Sequence, residues 1–204
     1  QEEVPRKPFA LPAANGDMRR VFAYLLRSRL LDYEVVSAFA KENLIYESLE
    51  LSKDKTRQFH NAIFVGYDPE GKARHAHKKG IYTMGKSYRG NLESSDPRYS
   101  FHWNGKSSEV FVFEAPIDML SYISLHKNGW KEHSYVALCG VGSQALFQLL
   151  QDHPELKKIH LCLDHDLAGM KAAERIQESL AEAGYPDVGM ELSTWKDWNE
   201  DIKA

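Results

Sequence analysis

The pattern of hydrophobic and polar positions changes at about residue 105. Before it, apolar residues recur at helical spacing over about 18–30 and again from about 32 to 43, where Asp17 and Asp32 can act as N-caps. Strand-like runs follow at 44–51, 61–67 and 73–79. This part of the chain, 17–105, is therefore predicted to be a small α+β domain.

Turns and loops in this first part are marked by their composition. Asp68-Pro69-Glu70-Gly71 separates the last two strand-like runs and is typical of a type I turn, which predicts a hairpin. Residues 1–16, with Pro5, Pro8 and Pro12, are predicted to be an extended lead-in or linker. Residues 85–100, rich in Gly, Ser, Asn and Asp, are predicted to form a long loop.

After residue 105, apolar runs alternate regularly with helical patterns. The predicted strands are 109–114, 135–139, 158–163 and 188–193. The predicted helices follow the first three strands, at about 116–128, 143–152 and 168–183. Such alternation with continuous apolar strands indicates a parallel sheet that helices cover on both faces. The fold class is therefore α/β, with a Rossmann-like domain of about four parallel strands at 106–204.

The net charge of −3 conceals an uneven distribution along the chain. Residues 1–105 carry 17 Lys and Arg against 13 Asp and Glu, whereas residues 106–204 carry 9 against 16. Seven of the basic residues fall within 72–98. An acidic half beside a basic half is typical of a metal site next to a surface that binds a polyanion, although two differently charged solvent-exposed faces give the same pattern.

The sequence contains neither a membrane span nor a disulfide framework. No apolar run approaches the roughly 20 residues that a span needs, and no signal-peptide pattern opens the chain. Cys139 and Cys162 each lie within an apolar strand-like run. Reduced core thiols in a cytoplasmic protein are favoured over a disulfide, and two cysteines this far apart do not make a zinc site.

Carboxylates follow three of the four predicted strands. Glu114 ends the first strand and Asp118 lies one helical turn later, Asp164 and Asp166 follow the third strand, and Asp197 follows the fourth. Ligands of open parallel sheets bind beyond the carboxyl ends of the strands, so these side chains are predicted to converge. Clustered carboxylates repel one another unless a cation neutralises them, which predicts a Mg²⁺ (or Mn²⁺) site. A position at a helix N-terminus explains Asp118 and Asp166 singly, but not Glu114 and Asp164.

The second strand ends differently, in Cys139-Gly140-Val141-Gly142-Ser143. Ser143 as a helix N-cap explains the serine. The glycines also allow a backbone to approach a phosphate at the helix terminus. The capping interpretation is favoured.

These residues resemble the TOPRIM domain, which is shared by bacterial primases, type IA and type II topoisomerases and OLD-family nucleases. The resemblance rests on FVFEAPIDMLS at 111–121 and LCLDHDLAGMKAA at 161–173. They match a glutamate at the end of one strand and an Asp-x-Asp at the end of a later one. Bacterial primases add an aspartate four residues after the glutamate and a later Lys-Asp element, places that Asp118 and Lys196-Asp197 hold. The family usually has glycine where this chain has Ala115, a departure that concerns the substrate pose rather than the metal ligands.

The first part of the chain is similar to the uncharacterised domain that precedes TOPRIM in proteins of plasmids and integrative elements. The residues that carry this similarity are FHNAIFVGYDPEGKARHAHKKG at 59–80 and NLESSDPRYSFHW at 91–103. A zinc-ribbon module often lies further upstream in that family. Gln1 in place of an initiator methionine fits this arrangement and leads us to expect an upstream segment.

The resemblance implies a role for each acidic residue. Glu114 is expected to act as general acid and base, with Asp164 and Asp166 completing the catalytic set as Mg²⁺ ligands. The expected metal ligands are Glu114, Asp118, Asp164, Asp166 and Asp197. Basic side chains are expected to hold the nucleic-acid backbone by releasing counterions. These are Lys78, Lys79, Lys86, Arg89, Arg98 and Lys196.

The leading functional hypothesis is primase-like nucleotidyl transfer in the replication or transfer of mobile-element DNA. Its partners would be single-stranded DNA and replication or transfer proteins, without a membrane. The alternatives are a TOPRIM nuclease or nickase and a catalytically silent nucleic-acid-binding module. A topoisomerase is disfavoured because the chain is too short to hold a separate domain with a tyrosine nucleophile. A phosphatase with Asp164 as nucleophile is disfavoured because that chemistry usually places Asp-x-Asp after the first strand, with Thr or Ser soon after.

Overall fold

The computed structural model describes residues 6–82, 84–140 and 142–204, and these residues form two β-sheets. The first sheet is antiparallel, with the order β1-β2-β3-β4. Its strands are Ile45–Leu51, Gln58–Tyr67, Ala73–Gly80 and Arg89–Asn91. The second sheet has the order β5-β7-β6-β8-β9. Its strands, in chain order, are His102–Trp103, Glu109–Phe113, Ser134–Ala137, Lys158–Leu161 and Val188–Met190.

The α-helices of the described residues precede the first sheet, connect the strands of the second or, in one case, follow its last strand. In chain order, α1 to α6 are Arg19–Ala23, Tyr33–Lys41, Pro116–Leu125, Gln144–Asp152, Leu167–Glu182 and Trp198–Lys203. Helix α1 continues into a π-helical turn at Tyr24–Ser28, and short 3₁₀ helices occupy Pro97–Tyr99 and Trp130–Glu132. No helix in the described part of the chain is long and apolar enough to cross a membrane.

Helices cover both faces of the second sheet, in which β6 to β9 run parallel and β5 is antiparallel to β7. Val110 and Val112 of β6 pack with α4 and α5, whereas Phe111 and Phe113 pack with α3 and α6. Each face is therefore apolar, as a doubly covered parallel sheet requires. The predicted fold class, a Rossmann-like α/β sheet after a small α+β unit, is confirmed.

One hydrophobic cluster connects the two sheets through aromatic side chains. The ring centroid of Phe39, on α2, lies 5.3 Å from that of Phe101 and 5.6 Å from that of Trp130. Phe64 of β2 meets the same Phe101 ring edge-on at 5.4 Å. Burying each such side chain contributes about 1.5–3 kcal/mol, so these contacts hold the first sheet firmly against the second.

The lead-in covers the outer edge of β1. Ala14 forms a β-bridge with Ser48, and the backbone N–H of Leu49 donates to the Ala13 carbonyl at 2.9 Å. Because an uncovered edge strand offers unpaired backbone groups, this segment protects β1 from pairing with other chains. Apart from this bridge, residues 6–16 form no helix or strand, and residues 1–5 of the predicted lead-in lie outside the described residues.

The structure corrects the predicted loop at 85–100. Residues Arg89–Asn91 form β4, which pairs with β3, and Pro97–Tyr99 form a 3₁₀ helix. The sequence of β4 has no hydrophobic alternation, so its strand conformation comes from the neighbouring strand. Two further short elements, β5 and α6, also escaped the sequence analysis, since segments of 2 and 6 residues do not establish a period.

The structure also tests the predictions made for the helix caps and the cysteines. Asp32 caps α2 through the N–H groups of Glu34 and Val35, as predicted. Helix α4 begins after Ser143, but the Ser143 hydroxyl makes no capping hydrogen bond. Val141 of the glycine-containing segment lies outside the described residues. Both cysteines are buried free thiols.

A fully buried carboxylate joins β1 to α1. Oε2 of Glu47 accepts hydrogen bonds from the N–H groups of Arg20 and Val21 at 3.1 and 3.0 Å. Oε1 lies 2.7 Å from Nδ1 of His60 on β2. Helix α1 receives no side-chain cap from its own N-cap residue, Met18. A strand residue therefore supplies the oxygen that the helix N-terminus requires.

Replacing this carboxylate is expected to destabilise the protein. Glu47→Ala should lower the free energy of unfolding by about 2–4 kcal/mol, because two N–H groups and His60 lose their buried partner. The control is Glu50→Ala on the same strand, where a partly exposed pair with Lys78 predicts a loss of about 1 kcal/mol or less. Urea denaturation measures both, and equal losses in the two variants would contradict the assignment.

Candidate active site and metal centre

Acidic side chains gather where the parallel strands end. Glu114 follows β6 directly, and Asp164 comes three residues after the end of β8. Asp118 lies in the first turn of α3, while Asp166 and Asp197 are the N-caps of α5 and α6. The negative charges of Asp197, Asp164 and Glu114 all act on Asp118 and raise its pKa. The five predicted metal ligands therefore share one edge of the sheet.

Two of these carboxylates have a structural role as well. Oδ1 of Asp166 accepts the N–H of Gly169 at 2.8 Å, and Oδ1 of Asp197 accepts the N–H of Glu200 at 2.8 Å. This is the helix N-terminal role that the sequence suggested for Asp166. Oδ2 of Asp166 lies 3.8 Å from Nζ of Lys196. Capping thus uses one oxygen of each group and fixes the carboxylate in place.

Asp164 is half-buried, and neighbouring carboxylates disfavour its ionised form. Burial raises the pKa of Asp164 to about 7, and the charges of Glu114 and Asp197 act in the same direction. Its Oδ1 atom is buried without a hydrogen-bond partner among the described residues. A buried oxygen of this kind costs free energy unless something binds it. Asp164 is therefore suited to receive a cation.

Burial also raises the pKa values of Asp118 and Glu114. Burial raises the pKa of Asp118 to about 8, followed in size by the charges of Asp197 and Asp164. Burial also raises the pKa of the half-buried Glu114, against the opposing charges of Lys196 and Arg89. A carboxyl group with a raised pKa can accept a proton near neutral pH, which is the property that a general base needs.

Gly169 allows α5 to approach these carboxylates closely. A Cβ atom at this position would lie 2.1 Å from the backbone oxygen of Asp164 and 3.0 Å from Oε1 of Glu114. Any other residue would push the first turn of α5 away from the site. The sequence analysis did not identify this role, because it depends on a contact between β6, the β8–α5 connection and the helix.

The donor atoms suit a hard divalent cation. All five predicted ligands offer carboxylate oxygens, the type that Mg²⁺ prefers. Within residues 6–82, 84–140 and 142–204, however, no three Asp, Glu, His or Cys side chains already surround one point as a coordination shell. Mg²⁺ retains several water ligands and is often held by one or two carboxylates with substrate phosphates. The residues fit a cation bound partly through water.

A cavity of about 360 Å³ extends from the acidic edge to the first sheet. Its lining includes the carboxylates of Asp118 and Asp197 and the basic residues Arg29, Lys79 and Arg89. Burial lowers the pKa of Lys79, and the charges of Arg29 and Arg89 lower it further, so the three cations lie close together. None of them forms an ion pair with a carboxylate in the described part of the chain. The cavity thus brings cations that form no ion pair among the described residues together with the carboxylates of Asp118 and Asp197.

The remaining predicted basic residues lie elsewhere. Lys78 points to the opposite face of β3 from Lys79 and pairs with Glu50 at 2.9 Å. Lys86 lines a groove on that same face. The structure therefore separates two neighbouring lysines that the sequence analysis had grouped together.

Arg98 and Arg29 are placed by contacts that the sequence does not reveal. Arg98 pairs with Asp96 at 2.7 Å and lines a different pocket, beside α4. Arg29 follows the π-helical turn and donates to Oδ1 of Asn199 at 3.1 Å, a residue 170 positions away. Arg29 lies outside the basic stretch 72–98, and no sequence signal marked it as part of the site.

The stability of the folded protein is expected to depend on whether these carboxyl groups are protonated. Asp118 and Asp164 hold protons more tightly in the folded state than in the unfolded chain, where the pKa of Asp is about 3.9. The favourable contribution of the two protonated groups to the free energy of unfolding is therefore complete below about pH 4. It is lost as pH rises through about 7 and 8. Asp118→Asn should raise the free energy of unfolding of the metal-free protein more at pH 8 than at pH 4.5.

Urea denaturation in EDTA at these two pH values measures the effect. The exposed aspartate Asp187, changed to Asn, serves as the control and should shift stability little at either pH. A gain from Asp118→Asn that does not depend on pH would count against the electrostatic account.

Solved structures share this fold. The primase fragment of the bacteriophage T7 primase-helicase protein matches with a TM-score of 0.62 and 17% identity, over 85% of this chain and 66% of that one. The E. coli primase catalytic core gives 0.59 and 15%, over 91% and 69%. A DnaG primase catalytic domain bound to ssDNA gives 0.55 and 13%, over 90% and 67%. At such identities the similarity establishes the fold.

Sequence comparisons agree with the fold. An uncharacterized protein of Bacillus anthracis is 28% identical over 207 residues, which cover 90% of this chain and 57% of that protein. The chain thus spans little more than half of this relative. Residues 111–202 match the Toprim-like family, and residues 23–107 match a family of unknown function, DUF3991. The chain therefore carries a Toprim-like domain preceded by a DUF3991 domain, as the sequence resemblance indicated.

Proposed function

We propose that this chain carries out Mg²⁺-dependent nucleotidyl transfer of the primase type on single-stranded DNA. One observation carries the proposal: the buried carboxyl group of Asp118, the neighbouring carboxylate of Asp197 and three cations that form no ion pair among the described residues line the same cavity. A cluster of carboxylates without cations would repel a phosphate group. A phosphate site made only of cations would not need buried carboxyl groups beside it. Together they suit a divalent cation and a polyphosphate substrate.

Asp164 and Asp166 are the proposed principal metal ligands, with Glu114 beside them and Asp118 and Asp197 supporting a second ion. The support comes from available oxygen atoms: among the described residues, Oδ1 of Asp164 has no hydrogen-bond partner and Oδ2 of Asp166 is engaged only by Lys196, at 3.8 Å. A cation bound there supplies stabilisation of the charge that develops on a phosphoryl oxygen.

Glu114 is the proposed general base. It is half-buried with a raised pKa, and Oε1 lies against the first turn of α5 at Gly169. This position favours transfer of a proton from an attacking hydroxyl group to a carboxylate oxygen, because burial makes the carboxylate more basic. The charge of Lys196 lowers the pKa of Glu114 and so opposes the effect of burial.

Arg29, Lys79 and Arg89 are the proposed phosphate-binding residues. Their positive charges lie close together in the cavity that Asp118 and Asp197 also line, and no carboxylate in the described part of the chain forms an ion pair with them. Guanidinium groups bind phosphate through paired hydrogen bonds, and a lysine adds a point charge. Lys78, Lys86, Arg98 and Lys196 remain proposed contacts to the nucleic-acid backbone outside this cavity.

The comparisons support this proposal at the level of fold. The similar solved structures are described as primase fragments or catalytic cores, and one of them is bound to ssDNA. For this chain, single-stranded DNA as substrate and replication or transfer proteins as partners are part of the proposal. Its setting in cytoplasmic replication or transfer of mobile-element DNA rests on the sequence resemblance.

A primer-synthesis assay tests the proposal. The chain is incubated with single-stranded DNA, NTPs and Mg²⁺ or Mn²⁺, and short primers are expected to form. Glu114→Gln should lower the rate by at least about 10²-fold, because the proton acceptor is lost, while DNA binding stays near wild type. Glu178→Gln, an exposed change on α5, is the matched control and should leave the rate unchanged.

The other outcomes identify the competing functions. Metal-dependent cleavage of the DNA without extension would assign a nuclease or nickase activity to the same acidic residues. Intact DNA binding without turnover under any of these conditions would favour a catalytically silent binding module. Either result overturns the primase assignment.

A further inference from the structure

Exposed aromatic side chains gather around a groove of about 380 Å³ on the first sheet. Phe59, Tyr82 and Tyr88 are 38%, 56% and 53% exposed. Phe59 and Lys78 lie on the face of the sheet opposite that of Ala62, which packs in the core shared with the second sheet. The groove is therefore separate from the hydrophobic core.

Both tyrosines are held at the surface by polar contacts. Nζ of Lys78 lies 5.1 Å from the ring centroid of Tyr88. Gly90 makes room for this ring, since a Cβ atom there would lie 3.0 Å from the Tyr88 hydroxyl oxygen. The Tyr82 hydroxyl donates to the carbonyl of Gln58 at 3.4 Å. The contacts that fix the rings leave about half of each side chain accessible to a ligand.

Positively charged side chains lie beside these aromatic rings. Lys78 and Lys86 line the groove, and Lys78 shares its charge with Glu50 at 2.9 Å. Lys86 forms no ion pair among the described residues. The connection between β1 and β2 adds Lys53, Lys55 and Arg57 next to the strand that carries Phe59. The surface thus combines aromatic rings with positive charge, which suits a polyanion that also presents flat apolar groups.

The groove and the candidate active site lie on opposite faces of β3 and meet at one residue. Ser87 lines both the groove and the 360 Å³ cavity that contains Asp118 and Arg89. Tyr82 likewise lines both the groove and a third pocket with Arg20 and Arg27. A chain lying in the groove would therefore reach the acidic edge by passing Ser87.

We propose that this groove is a stacking site for the unpaired bases of a single-stranded nucleic acid. Bases stack on Tyr82 and Tyr88, and phosphates pair with Lys78 and Lys86. The strand then passes Ser87 into the cavity. A surface that recognised only phosphates would gain nothing from exposed rings, and a duplex would keep its base faces covered. The direction of the strand rests on the proposed function, whereas the binding itself needs neither metal nor turnover.

Fluorescence anisotropy in EDTA tests the stacking. A labelled twelve-nucleotide oligo-dT is compared with an abasic chain of the same length, which keeps the phosphates and removes the bases. Wild type should bind oligo-dT at least about tenfold more tightly. The double variant Tyr82→Leu, Tyr88→Leu should weaken oligo-dT binding by about 10- to 100-fold, leave abasic binding unchanged and keep the salt dependence.

The controls separate stacking from folding. Tyr82→Phe with Tyr88→Phe should restore oligo-dT binding, because phenylalanine keeps the ring. Tyr33→Leu, at an exposed tyrosine outside the groove, should have no effect. Thermal unfolding checks that each variant is folded.

Three results would overturn the stacking site. These are equal wild-type affinities for the two oligonucleotides, an unchanged affinity in the leucine double variant, or a change in sedimentation showing that the rings contact a second copy of the chain. A failed primer-synthesis assay with intact base-dependent binding would count against the proposed function alone.

Discussion

The burial and mutual repulsion of carboxyl groups at one sheet edge, those of Glu114, Asp118 and Asp164, is the constraint on which the site depends. Two of these groups have a pKa raised to about 7 and about 8, so their ionised forms are costly in the folded chain. The helix N-termini of α3, α5 and α6 point to the same edge and partly offset the negative charge. Gly169 allows this arrangement, since any side chain there would collide with the Asp164 backbone. The site is thus a region of stored electrostatic free energy, which a bound cation would release.

The first sheet contributes to the site as well as to the fold. The aromatic contacts of Phe39, Phe64 and Phe101 fix this sheet against the second one. As a consequence, Lys79 and Arg89, on β3 and β4, line the same cavity as Asp118 and Asp197. The first sheet therefore adds positive charge beside the acidic edge, as the proposed phosphate substrate would require.

Features that depend on local sequence could be predicted, and features that depend on distant contacts could not. Glu114 and Asp164 were identified because strand–helix alternation fixes which residues follow each strand. The hairpin turn at Asp68 was identified because its turn chemistry is local. In contrast, Arg29 enters the site through a contact with Asn199, and Glu47 caps a helix 26 residues earlier in the chain. Strands such as β4 and β5 are too short to carry a pattern and are defined by their partners.

Isothermal titration calorimetry with Mn²⁺ tests the central claim most directly. Wild type should bind Mn²⁺ with an affinity that rises from pH 6 to pH 8, as Asp164 and Asp118 lose their protons. Asp164→Asn with Asp166→Asn should abolish the binding while the fold stays intact, because asparagine at position 166 can still cap α5. Unchanged Mn²⁺ affinity in this double variant would contradict the claim that the acidic edge is a metal centre.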